Sequence, residues 1–337
     1  MKRERLVGIS CALLSVLLFS GFTLASRLGL SSRLNLMDLA ALRFGIGGSL
    51  LLPILVQADL RGVRWHHAAA LAFFGGLGFA LLAYTGFSLA PAVHGAVLLH
   101  GTLPLFTYVV LRVTTTRARP GPRQTGALLI GAGVVFMAYD SLAVASARQI
   151  VGDLFLLLAS ISWSAYGVLS RRLGLPPAVG ASMVSVLSGC AFLPAYAVLP
   201  GKALLTVGVR ELLLQALVQG VLIGAVSIFV YTRAVAALGP AVTTLFAAAV
   251  PLITMLVAVP LLSESPSRLA LAGVGIVTLG MVVAARSSGR SPSLSSAGMS
   301  PRRSGLSSGL GGAVPAGSPP TPEEPHRLPD RRTRPHP

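Results

Sequence analysis

Charge is scarce in this chain. Lysine, arginine, aspartate and glutamate make up only 11% of its 337 residues, against about 25% in soluble domains. Acids are scarcest, ten against 27 basic residues. Almost all of them stand at the ends of apolar runs or in the C-terminal 50 or so residues, so no pair of carboxylates is available inside a run for acid–base chemistry. There is no Ser-His-acid arrangement and no H-E-x-x-H, which argues against an intramembrane hydrolase or a zinc enzyme. No glycine-rich loop ends in Lys-Ser/Thr, which argues against an ATP-driven pump. The two cysteines, Cys11 and Cys190, both lie in apolar text and indicate no disulfide framework. No cofactor or metal is expected.

What fills the space is apolar. Hydrophobic residues account for 53% of the chain and mean hydropathy is +0.77. About 20 apolar residues at 1.5 Å rise cross a ~30 Å hydrocarbon core. Ten such segments are read at 6–25, 36–56, 67–89, 92–112, 124–140, 152–170, 178–199, 211–236, 240–262 and 267–286. The opening "MKRER" resembles a signal-peptide head, but the run after it is too long for one and further runs follow. Two divisions are thin, at "APA" and "ALGPA", where proline and glycine mark turns.

The net charge of +17 does not indicate nucleic-acid binding, because the basic residues punctuate apolar runs, where they orient a membrane protein. With the N-terminus inside, the inner loops collect Lys2, Arg3, Arg5, Arg171, Arg172 and the basic stretch around Arg117, while the outer loops hold fewer. Both termini are therefore expected in the cytoplasm, in a multi-pass plasma-membrane protein. Residues 287–337 are rich in Ser, Gly, Pro and Arg, a composition that cannot bury enough apolar surface to order itself. They are expected to form a disordered cytoplasmic tail.

The text repeats. "SVLLFSGFTLASRL" (15–28) and "SISWSAYGVLSRRL" (160–173) share an outline. At a fixed offset of about 147, Tyr84-Thr85 aligns with Tyr231-Thr232, Pro104 with Pro251, Thr107 with Thr254, Gly126 with Gly273 and Gly133 with Gly280. Prolines and glycines have backbone consequences in helices, so these matches carry more weight than apolar identities. The expected fold is an all-α polytopic membrane protein, its ten transmembrane helices arranged as two inverted five-helix repeats, 1–140 and 152–286. An odd helix count forces the second unit to enter the membrane upside down, an architecture of secondary transporters.

"WSAYGVLSRRL", "YTRAVAALGPAVTTLFAAAVPLITMLVAVPLLSE" and "GVGIVTLGMVV" resemble the EamA-type members of the drug/metabolite transporter superfamily. The resemblance spans roughly residues 6–286. Pro251 and Glu264 stand where the family has a mid-helix proline and an acidic residue, whereas Arg117 occupies the acidic position of the first half. It implies ten helices in two inverted halves and export of small metabolites, amino acids and related compounds among them, or of drugs. The implied partners are a small-molecule substrate and the lipid bilayer, with a homodimer left open. A non-transporting membrane receptor or assembly protein is the alternative.

Polar and aromatic side chains within spans are the substrate-binding candidates: Ser160, Trp163 and Tyr166 on one helical face, the repeat-related Tyr84 and Tyr231, and His100, which is also the proton-coupling candidate because it is the only histidine deep within a predicted span, while its repeat mate Ala247 shows that the scaffold does not demand it. Each also has a plain packing reading. Pro104 and Pro251 are the helix-break candidates. His94 is expected near water at the outer end of its span. Arg43 is expected to snorkel to the outer interface or pair with Asp38, with binding of a substrate carboxylate ranked below that structural role.

Overall fold

The computed structural model describes residues 2–61, 63–114, 123–143, 146–204, 206–263 and 266–288. Glu264, Arg117 and the segment from 289 onward lie outside them. The regular structure of the described residues is all helical, in ten tracts: α1 (Lys2–Leu30), α2 (Leu36–Gln57), α3 (Trp65–Leu89), α4 (Ala92–Thr114), α5 (Arg123–Ala143), α6 (Ala147–Leu173), α7 (Pro177–Val198), α8 (Val209–Leu238), α9 (Pro240–Leu262) and α10 (Arg268–Ser288). Eight are long and apolar enough to cross a membrane. The thin divisions are real breaks: α4 starts after Pro91, and Gly239, at φ 83°, ends α8 before Pro240 opens α9. A left-handed backbone at that point suits glycine because no Cβ resists it.

Polarity is arranged inside out. Leu17, Val56, Leu128, Val135, Leu256 and Leu279 are exposed, forming a surface that water would penalise and lipid would not. Arg43, His94, His100, Asp153, Gln215 and Gln219 are buried.

The helices of the first half pack on those of the second in a reciprocal pattern. α1 packs on α8 and α9, α6 on α3 and α4, and α2 and α5 on their own mates α7 and α10. The glycines give the geometry. A methyl on Gly133 would lie 3.0 Å from the Gly273 carbonyl oxygen, and one on Gly280 2.9 Å from that of Gly126. On α2 and α7, Gly48 faces the Ser185 carbonyl at 3.2 Å and Gly189 faces that of Phe44 at the same distance. Numbers rise along one helix as they fall along its mate, so both crossings are antiparallel. Each contact also maps onto its partner when the halves are exchanged, as in a self-complementary twofold interface.

The recurring Ser-Arg-Leu closes each first helix for a local reason. Arg27, at the end of α1, donates to the Phe87 carbonyl at 2.9 Å near the end of α3. In the second half the text reads Ser-Arg-Arg-Leu, and Arg171, at the end of α6, donates to the Ala236 carbonyl near the end of α8. A cation beside the orphan carbonyls of a helix C-terminus satisfies them and complements the helix dipole.

Candidate functional site

Three helices depart from α geometry around the middle of the molecule. α3 contains a π segment, Phe73–Leu77, with Gly76 outside helical geometry. α4 contains another, Ala96–Gly101, followed by a turn at Thr102. α8 contains a third, Ala216–Ser227. α9 instead carries a short 3₁₀ turn, Ala247–Ala249. Pro104 and Pro251 each stand at the second residue of the α-helical stretch that follows, Leu103–Thr114 and Val250–Leu262. There a missing N–H leaves nothing unpaired. Serines from the opposite half satisfy the loosened backbone. Ser188 of α7 donates to the Ala72 carbonyl (3.0 Å) and accepts from Leu77 N–H (3.1 Å), and Ser162 of α6 donates to the Phe74 carbonyl (3.0 Å). Within the second half, Ser185 of α7 donates to the Gly224 carbonyl of α8 (2.6 Å). Irregular backbone at membrane depth needs such partners.

These bends enclose a cavity between the halves of about 10 Å³, room for about one water molecule. Its wall is aromatic on one side, with Phe19 and Phe22 of α1, Phe79 of α3 and Trp163 of α6, and polar at three points, Arg43 of α2, His100 of α4 and Ser227 of α8. Trp163 lies 4.5 Å from the Phe79 ring and 5.7 Å from Phe19. A neighbouring void shares Phe19 and Leu103 with it and is lined by Tyr231, Thr243 and Thr244. A wider cleft of about 330 Å³ lies beside Arg171, Pro176 and Thr232.

Of the residues singled out in the sequence, Trp163 and His100 line the cavity and Tyr231 lines the adjoining void. His100 stacks on Phe19 at 5.1 Å, and its Nδ1 is buried with no hydrogen-bond partner. Tyr166, Tyr84 and Ser160 line neither space. Tyr166 packs its ring 5.2 Å from Trp163 and 6.1 Å from Tyr231, and its hydroxyl shares a 2.5 Å hydrogen bond with Thr232. It thereby forms a layer between the wide cleft and the aromatic wall. Ser160 accepts from Thr102 at 2.8 Å and so holds the break in α4.

Tyr84 belongs to a buried polar chain that sequence reasoning missed. Its hydroxyl donates to Gln219 Oε1 (2.9 Å), Gln219 donates to Ser26 (3.1 Å) and to Gln215 (3.4 Å), and Gln215 donates to the Ala25 carbonyl (2.8 Å). Two glutamines four apart in "LLLQALVQGVL" were its signal, since they share a helical face.

Two expectations are corrected. His94 does not meet water. It is 2% exposed, and its Nδ1 lies 2.9 Å from Asp153 Oδ1 on α6, so His100 is not the sole deeply placed histidine. Arg43 neither snorkels nor pairs with Asp38. Asp38 caps α2 with Asn35 and accepts from the Tyr196 hydroxyl at 2.6 Å and from Ala203 N–H at 3.2 Å. Arg43 is 3% exposed and turns inward, to the Tyr84 hydroxyl and the rings of Phe22, Phe44 and Phe79. Among the described residues, no group of three His, Cys, Asp or Glu side chains is placed to hold a metal ion.

Apolar outward faces, a polar interior and helices long and apolar enough to cross a membrane define a polytopic membrane protein. The chain belongs to the EamA-like transporter family, whose profile matches residues 6–139 and 150–286. The two matched stretches are the two halves that exchange glycine contacts. A solved structure titled only "Crystal structure of protein" is similar over 84% of this chain and 96% of its own, with a TM-score of 0.59 at 19% identity, which speaks to fold alone. No curated protein matches the chain.

Proposed function

We propose that this protein is a secondary transporter that exports small metabolites from the cytoplasm across the plasma membrane by alternating access. In this reading all ten helices span the bilayer, in two inverted halves, with both termini cytoplasmic. The observation that carries it is the water-sized cavity at the junction of the halves, walled by residues of both. A rocking pair of repeats would widen and narrow a space at that junction between its two openings.

Rocking would enlarge the space around Trp163 and His100, where buried polar groups await a ligand, and the Tyr166–Thr232 layer would part toward the wide cleft. The bends in α3, α4, α8 and α9 supply deformable backbone, which suits discontinuous helices at a substrate site. His100 is the candidate for carrying a proton in exchange for solute, because an imidazole changes charge near neutral pH.

The test is flux. Purified protein in liposomes should move organic solutes faster than empty liposomes do, and an imposed pH gradient should change the rate. Solute permeability equal to that of protein-free liposomes across a broad metabolite mixture, with correctly inserted protein, would overturn the reading.

A further inference from the structure

Arg43 is a charge without a counter-charge. It is buried on α2, 3% exposed, and a guanidinium keeps its proton in proteins. Among the described residues no carboxylate lies within ion-pair distance of it. The buried carboxylates are committed elsewhere, Asp38 to Tyr196, Ala203 and the helix cap, and Asp153 to His94.

What surrounds Arg43 only partly compensates. The Phe22 and Phe79 ring centroids lie 5.4 Å from its Cζ and that of Phe44 5.8 Å, so the guanidinium sits among negative ring faces. The Tyr84 hydroxyl lies against it but is oriented by its own donation to Gln219. The Nη1 nitrogen has no hydrogen-bond partner at all. Leaving a buried cation short of partners is among the costliest arrangements in a membrane protein. In the same cavity the His100 Nδ1 is also unpartnered, as is Trp163 Nε1, and no carboxylate lines it.

We propose that Arg43 is the anion-binding residue of the transport site, and that the substrate class is an organic monocarboxylate with an apolar or aromatic body. The carboxylate would meet the free edge of the guanidinium, which matches it in shape and can donate two parallel hydrogen bonds. The body would lie against Phe19, Phe79 and Trp163. A cationic amine would meet the like charge of Arg43 with no acid beside it. This inference rests on the transporter reading for its location but names the ligand independently of flux.

Trp163 supplies the readout. The chain holds two tryptophans, and the other, Trp65, is 81% exposed, so Trp65→Phe leaves Trp163 as sole reporter. Full-length protein in detergent is titrated with phenylacetate, 2-phenylethylamine and 2-phenylethanol, which share a phenyl body and differ in charge. Saturable change of Trp163 emission is expected with phenylacetate, at least about tenfold tighter than with the amine or the alcohol, as befits a hydrogen-bonded charge pair. Arg43→Met should lose at least about tenfold of that affinity and Arg43→Lys should lose less.

A second measurement separates binding from scaffolding. Ligand-free Arg43→Met should melt no lower than the parent, because it removes an unpaired buried charge, while phenylacetate should raise the melting temperature of the parent only. Equal affinity for acid and amine, no response to any of the three, unchanged acid affinity in Arg43→Met, or a lower melting temperature of its ligand-free form would each overturn the proposal. Acid binding by protein that moves neither that acid nor any solute of the metabolite mixture faster than protein-free liposomes would leave the anion site standing and remove the transporter reading. Flux of other solutes unaffected by Arg43→Met would do the reverse.

Discussion

The crossing of α2 and α8 permits a sharp steric prediction. A methyl on Gly47 would sit 2.6–2.7 Å from the carbonyl carbon, Cα and oxygen of Gly224, and one on Gly224 2.3 Å from the Arg43 carbonyl oxygen. The obstructing atoms are backbone, so no side-chain rotation relieves the clash and the helices must part. Overpacking of this kind costs about 1–3 kcal/mol. At ~2–4 °C per kcal/mol, Gly47→Ala should lower the melting temperature of detergent-solubilised protein by roughly 2–12 °C. Two residues earlier on the same helix, a methyl on Gly45 meets nothing nearer than Leu193 Cδ2 at 3.9 Å. Gly45→Ala should therefore change the midpoint little, or raise it slightly through helix propensity. Gly47→Ala and Gly224→Ala push the same two helices apart, so the double variant should cost less than the sum of the singles. The assay is thermal unfolding followed by size-exclusion chromatography of the surviving monodisperse fraction. Equal midpoints for Gly45→Ala and Gly47→Ala would refute the reasoning, since the two differ only in what their methyl groups meet.

Asp153→Ala and His94→Ala should each destabilise by about 3–5 kcal/mol, the penalty for breaking a buried pair, and the double variant by no more than the larger single. Additive melting shifts would show that the 2.9 Å contact carries no coupling. His100→Gln should flatten the dependence of flux on pH while leaving membrane level near normal. Arg43 is the other titratable group lining that cavity and keeps its proton throughout the range, so a profile identical to wild type would remove His100 from proton transfer. With both native cysteines replaced, a cysteine at Thr115 should be labelled by impermeant reagents only after the membrane is opened. Labelling from outside intact cells would invert the proposed orientation.

The segment plan was legible because burial in lipid writes itself as uninterrupted apolar text. The turns at Ala90-Pro91 and Gly239-Pro240 were legible because proline and glycine have backbone consequences that survive any packing. The paired glycines of α5 and α10 were visible as a repeat, though not as two halves of one contact. Partnerships across helices were not legible. Arg43 and Asp38 are neighbours in sequence, yet five residues is roughly 140° around a helix, so their side chains leave on different faces. His94 was misplaced for a related reason. Its position near the end of an apolar segment gives depth along the helix axis and says nothing of the face, and Asp153 comes from another helix in the other half. The Gln215–Gln219–Tyr84 chain was hidden in the same way, because its links join α3 and α8.

The two glycine crossings sit where each half meets its own counterpart. Exchanging the halves turns the α5–α10 contact into itself, and likewise α2–α7, whereas it turns the α1–α8 contact into α6–α3. For a molecule that alternates by letting each half adopt the shape of the other, the first two contacts are therefore the same before and after, and the last two trade places. In the proposed cycle the carbonyl-facing glycines would mark a fixed axle. The α1–α8 and α3–α6 seams on either side of it would be the two doors, and the symmetry requires that whatever loosens one tightens the other.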